Sequence, residues 1–236
     1  MTNSEITPPP RLLCVLGMHR SGTSCLTGSL QEAGVDLGNC HTWNPHNLKG
    51  NRENQDVVDL NDDVLAVNNA SWDAPSSRVR WSDAHYSRAK ALIEQHAASP
   101  CFGFKDPRTL LTLDGWLTAF PDLRFIGIFR DPINVAQSLY NRSGMPLEQG
   151  LSLWYQYNRR LWSYYRSHGF PVLCFDDDAE VFKDKLRKTL LNLGLTTELS
   201  SASFYDEALR SAEGDRSIKV GWRVSRLFKK LKQIAE

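Results

Sequence analysis

The sequence lacks an excess of either charge, a long apolar run, a paired set of cysteines, and a lysine where its most conspicuous loop would carry one. Its 28 Lys and Arg against 27 Asp and Glu leave a formal net charge of +1. A nonspecific nucleic-acid binder is normally more basic, so no nucleic-acid partner is expected. The first apolar run, Leu12 to Gly17, is far too short to cross a bilayer, and no transmembrane segment is expected. No secretory leader is expected either. The start, MTNSEITPPPR, is polar and closes on prolines, which predicts a flexible tail over residues 1–10. The cysteines Cys14, Cys25, Cys40, Cys101 and Cys174 are scattered, odd in number and form no C-x-x-C pair. Reduced thiols in a cytoplasmic protein fit that pattern better than disulfides or a zinc site. No internal repeat or low-complexity linker divides the chain, so residues 11–236 are expected to form a single domain. With 41% hydrophobic residues over 236 positions, a full core can be buried.

What is present is an alternation of strands and helices. Four short apolar runs read as buried strands: RLLCVLG (11–17), CFGFK (101–105), LRFIGIFR (123–130) and FPVLCF (170–175). Helical patterns occupy 22–33, 52–67, 82–98, a segment opening at Asp131-Pro132, 147–167 and 177–193, with a basic amphipathic segment at the end. In 52–67 the apolar positions Val57, Leu60, Val64 and Val67 recur at helical spacing. The expected fold is therefore α/β: a three-layer sandwich around a central, mainly parallel sheet, like that of P-loop nucleoside triphosphatases. Ligands of such sheets bind beyond the carboxyl ends of the strands. Three of the four ends carry a cation there: Arg20 in the loop after strand one, Lys105 and Arg108 after the second, Arg130 after the third. The fourth ends in Asp176-Asp177-Asp178, read as the acidic opening of the next helix.

The loop Gly17-Met18-His19-Arg20-Ser21-Gly22-Thr23-Ser24 is nearly G-x-x-x-x-G-K-[ST], with Thr23 in the lysine's place. Two glycines permit a tight turn into a helix, whose first amides and dipole attract an anion. Ser21, Thr23 and Ser24 add hydroxyls, and Arg20 supplies the charge from inside the loop. Such a loop suits an anion, but not a magnesium triphosphate in its usual pose.

Here the chain resembles the sulfotransferases that use 3′-phosphoadenosine 5′-phosphosulfate (PAPS). GMHRSGTS resembles their 5′-phosphosulfate loop, with a cation just before Ser-Gly-Thr. IFRDPINVAQSLY resembles their 3′-phosphate motif, represented here by Arg130 and Ser138. FGFKDPRTL resembles a Lys-Asp-Pro segment of the family, and NPHNLKGNRENQDVVDLND is similar to a bacterial pattern with a glutamate at the start of a helix. The last-strand segment PVLCFDDDAEVFKDKLRKTLLNLGL is similar as well.

The resemblance implies a transferase that moves a sulfuryl group to a hydroxyl of a small-molecule, sugar or lipid acceptor, with PAPS as donor and no required metal. Gly17, Arg20, Ser21, Gly22, Thr23 and Ser24 would hold the 5′ end of the donor, and Arg130 with Ser138 its 3′-phosphate. Lys105 would contact the transferring sulfate. Glu53 is the first candidate for general base, His19 in the loop the second, Asp106 the third. Departures accompany the match. Asn51-Arg52 replaces the usual Tyr-Phe before the glutamate, and Ser24-Cys25 stands where a tryptophan often stacks on adenine. The aromatic helix LSLWYQYNRRLWSYY either walls an acceptor pocket or packs the core. The basic C-terminal helix either is solvated or brings Arg223 or Arg226 to the nucleotide. Two other functions remain open: a P-loop small-molecule kinase with a displaced cation, and a nucleotide-binding protein of this fold without activity. The oligomeric state is open too.

Overall fold

A computed structural model describes residues 11–42, 50–196 and 214–235. The tail at 1–10 and the whole Asn-Pro-His-Asn-Leu-Lys stretch, His46 included, lie outside them. Four strands form one parallel sheet: β1 (Leu12–Leu16), β2 (Phe102–Lys105), β3 (Arg124–Phe129) and β4 (Val172–Cys174). Their order is β2-β1-β3-β4, with Val15 opposite both Lys105 and Ile126, and Phe129 opposite Cys174. β1 is thus flanked on both sides, which is why all five of its residues are buried and apolar.

Period-two alternation sorts the strand side chains between two cores. Leu13, Val15, Ile126, Ile128 and Leu173 meet α1 (Thr23–Glu32) and α7 (Ala179–Asn192) through Leu26, Leu30, Phe182, Leu186 and Leu190. Leu12, Cys14, Leu16, Phe125 and Phe129 face the larger core on the other side. That layer holds α2 (Gln55–Val67), α3 (Asp83–Glu94), α4 (Thr109–Ala119), α5 (Pro132–Ser143), α6 (Leu147–His168) and α8 (Trp222–Ile234). Each fully buried Leu or Phe of these cores contributes about 1.5–3 kcal/mol of transfer free energy.

Two helices differ from the sequence reading. α2 starts at Gln55 because the Asn54 side chain accepts from the Asp56 amide, so Glu53 precedes the helix. Its buried seam runs through Leu65, while Val67 in the last turn is 61% exposed. α4 has no counterpart in the reading. Its sequence, TLLTLDGWLTA, is apolar nearly all round and buried, so it shows no amphipathic period. α5 opens as expected: Asp131 Oδ1 accepts from the Ile133 and Asn134 amides, Pro132 is its first residue, and left-handed Gly144 ends it.

Candidate active site

The loop between β1 and α1 is shaped by two glycines. Gly22 has φ 84°, and a Cβ there would lie 2.3 Å from the Phe175 ring. At Gly17 a Cβ would stand 2.7 Å from both the Ile128 carbonyl and the Thr23 methyl. Arg20 itself is left-handed, with φ 66°. Such backbone costs a non-glycine residue roughly 1–2 kcal/mol, which the surrounding packing must offset. Gly22 caps α1 without a side-chain bond, and the first turn holds no acid. The opening amides of α1 have no acceptor within the helix. Ser21 is buried and its Oγ has no hydrogen-bond partner. Its amide closes the turn by donating to Met18 O at 3.3 Å, so the amides left for a ligand begin at Gly22 rather than Ser21. Thr23 is buried, and Ser24 Oγ donates to Asn51 O at 3.0 Å, tying the loop to the segment that carries Glu53.

Two motifs far apart in sequence meet at this loop. Arg20 Nε donates to the buried Ser138 Oγ at 2.8 Å. Arg130, also buried, does not reach Ser138 by a direct bond; its Nε lies 3.2 Å from Asp176 Oδ1 and its guanidinium 5.5 Å from the Phe175 ring centroid. Asp176 also accepts from the Asp131 amide and from Asn134 Nδ2. The acidic run after β4 therefore divides its work. Only Asp178 caps α7; Asp176 anchors Arg130, and Asp177 holds Lys185 and Lys232. Burial, with Arg142 and Arg130 nearby, pulls the Arg20 guanidinium below its ordinary pKa. Cations from the loop, from β3 and from α5 thus converge.

On the β2 side, Lys105 and Glu53 form an ion pair of 2.6 Å, with the lysine side chain 1% exposed and the carboxylate 15%. Asp106 does not pair with Lys105. It is buried beneath Arg108, which donates to it at 2.9 Å, and it accepts from Asn61 Nδ2 at 2.9 Å. Asn61 also donates to Thr109 and accepts from Thr112 and Trp116 Nε1. Burial first, then the Glu53 charge, raises Asp106 to about 6 against the lowering pull of Arg108. A carboxylate so enclosed organises its surroundings; it has no open side for an acceptor proton.

His19 is partly buried, and its enclosed Nε2 has no hydrogen-bond partner. The ring lies 4.9 Å from Trp72 and 6.1 Å from Tyr157, whose hydroxyl donates to Trp72 O. Burial holds its pKa well below the ordinary value, reinforced by Arg108, Lys105, Arg142 and Arg20. The imidazole is therefore neutral, and a weak proton acceptor. The aromatic helix α6 packs more than it lines: Trp154 and Tyr157 are buried, and Trp154 Nε1 donates to Arg130 O. Arg223 and Arg226 are exposed on α8.

Several residues here carried no sequence signal. Asn61 and Asp176 lie inside quoted segments but with no such role assigned to them, and Trp72 lies outside every motif; Arg142 could have been suspected, being one helical turn beyond Ser138. A cleft of about 860 Å³ lies at the opposite edge of the sheet, lined by Leu12, Phe102 and Phe170 at the strand starts, away from every residue above.

Comparison with known proteins bears on the family and the fold. A family model described as the sulfotransferase family matches residues 11–176. The sulfotransferase domain of the Synechococcus olefin synthase superposes with a TM-score of 0.59 at 17% identity, covering 98% of each chain, which establishes likeness of fold. Two mycobacterial sulfotransferases are more distant. One from Mycobacterium tuberculosis gives 0.47 at 15% identity over 95% of this chain and 77% of that one. One from Mycobacterium avium gives 0.49 at 15% over 99% and 71%. No curated protein matches by sequence.

Proposed function

This chain belongs to the sulfotransferase family, and from that premise we propose that it transfers a sulfuryl group from PAPS to a hydroxyl of a small-molecule acceptor. The observation that carries this reading is the meeting of Arg20 with Ser138, 2.8 Å apart, at a loop where, among the described residues, the buried Ser21 Oγ has no partner and α1 opens without a side-chain cap. Those groups fit a dianionic phosphosulfate.

In the reaction the bond from sulfur to the acceptor oxygen forms as the bond from sulfur to the bridging phosphate oxygen breaks. Arg20, permanently charged and engaged only through Nε among the described residues, stabilises charge growing on the leaving phosphate. The amides of Gly22, Thr23 and Ser24 hold that phosphate. Arg130, set by Asp176, faces the 3′-phosphate. Lys105 has three donors; one serves Glu53, and the others are free to meet sulfate oxygens. Glu53 takes the acceptor proton on the oxygen that Lys105 leaves open. His19, held neutral, serves as a wall of the acceptor side.

A kinase reading would need a carboxylate to hold magnesium. Its two candidates are otherwise engaged: Asp106 by Arg108 and Asn61, Asp131 by the start of α5 and by Arg216. The test is transfer of radiolabelled sulfate from PAPS to a panel of phenol, sugar and lipid alcohols. Labelled product that disappears in Glu53→Gln supports the reading. Donor binding without transfer to any class would favour a nucleotide-binding protein without activity.

A further inference from the structure

The near-neutral net charge conceals a strong separation of charge. α2 carries Asp56, Asp59, Asp62 and Asp63 and no base. α6 and α8 together carry three arginines and five further Lys or Arg, against the single acid Glu148. These two helices lie side by side, with Phe228 6.1 Å from Trp154 and the Lys230 ammonium 5.3 Å from the Trp162 ring centroid. On α6, Arg159 and Arg166 stand three and four positions from Trp162, on the same stripe. On α8, Val224, Leu227 and Leu231 are buried, which turns Arg226 and Lys229 outward with Trp222. Trp222 is 67% exposed, with the Arg223 guanidinium 5.6 Å from its ring centroid. Among the described residues, none of Arg159, Arg166, Arg223, Arg226, Lys229 and Lys230 has a carboxylate partner.

We propose that this α6–α8 face docks the protein on an anionic lipid bilayer. A row of cations alone would suit any polyanion. The interleaved rings decide the class: an exposed Trp222 and a half-buried Trp162 at the level of the cations are the arrangement that headgroup regions accept. α8 is a basic amphipathic helix whose apolar side is already spent on the core, so the attachment is electrostatic and reversible, with Trp222 as its shallow apolar contact. The face adjoins the site. Just before α8, Gly214 and Arg216 bond to Asn134 and Asp131 at the start of α5. The inference stands independently of the reaction proposed above.

The test is sedimentation of the full chain with phosphatidylcholine vesicles, pure or mixed with phosphatidylglycerol. Binding is expected to the mixed vesicles only, and to fall as salt rises. Reversal of three charges together, Arg223→Glu, Arg226→Glu and Lys229→Glu, should weaken it on the order of a hundredfold. The milder pair Arg226→Gln and Lys229→Gln should weaken it on the order of tenfold while leaving the melting temperature unchanged. Lys90→Glu, on the exposed side of α3, should have no effect. Equal binding to neutral vesicles, undiminished binding by the folded Gln pair, or preference for duplex DNA or an acidic protein over vesicles would overturn the proposal.

Discussion

The two halves of the sheet edge are built on different plans. Around β1 and β3, Arg20 meets a neutral hydroxyl, and among the described residues Ser21 Oγ is left without a partner and α1 opens without a side-chain cap. Around β2, every charge is already answered: Lys105 by Glu53, Arg108 by Asp106 and Asp62, and Asp106 again by Asn61. The first half has unspent bonding capacity for an anion. The second is a preassembled network whose members hold one another in place. The difference teaches where an anion is to be bound and where reacting groups are held ready in position.

The sharpest way to break that contrast is to remove the cation without a carboxylate. Arg20→Ala should lower the rate of sulfuryl transfer roughly 10²–10³-fold, as loss of one preorganised donor to a developing anion does. Ser138→Ala, which removes only its anchor, should cost less. If both variants lose equally, measured by steady-state transfer, Arg20 acts through its position alone.

A second variant attacks the backbone of the same half. Gly22→Ala puts a methyl 2.3 Å from the Phe175 ring at a left-handed position. Unfolding in urea should show a loss of about 1–3 kcal/mol, and nucleotide binding should fail at temperatures where the protein remains folded.

The β2 half should respond in stability and leave nucleotide affinity intact. Asn61→Ala strips partners from Asp106, Thr112 and Trp116 in a buried setting. The expected cost is about 1–3 kcal/mol, read by urea unfolding, with nucleotide affinity unchanged. Weakened nucleotide binding in this variant would mean that the two halves are one unit.

The smallest effect is one of pH. Asp106 titrates at about 6 in the folded protein, above its ordinary carboxylate range. A carboxyl raised on folding contributes stability that is complete below its unfolded pKa and is lost as pH rises through the folded one. Stability should therefore decline between about pH 4 and about pH 6, and Asp106→Asn should flatten that decline. Urea midpoints across this window give the check.

The same contrast explains what could be read without coordinates. The loop was legible because its parts are contiguous: Gly17, Arg20, Gly22 and the hydroxyls follow one another at a strand–helix junction. So were the cap and first proline of α5, which are local. Arg130 and Ser138 were legible as a pair on one segment, but not that Ser138 would bond Arg20, since that contact spans 118 positions. The β2 half was hidden for the same reason. Asn61, Thr109, Thr112 and Trp116 are unremarkable on helices, and only packing makes them a network around Asp106. Lys105 was a candidate by its place at a strand end, whereas its partner Glu53 comes from a separate segment, bound to the loop through Ser24 and Asn51. α4 was missed because a helix buried on nearly all sides has no apolar period to display.

The central claim is that the open half of this edge takes a nucleotide with a 3′-phosphate. Differential thermal unfolding with 3′-phosphoadenosine 5′-phosphate, and separately with ATP and magnesium, tests it most directly. The prediction is a rise in melting temperature with the 3′-phosphorylated nucleotide, lost in Arg130→Ala, and none with ATP and magnesium. Stabilisation by ATP and magnesium alone would contradict it.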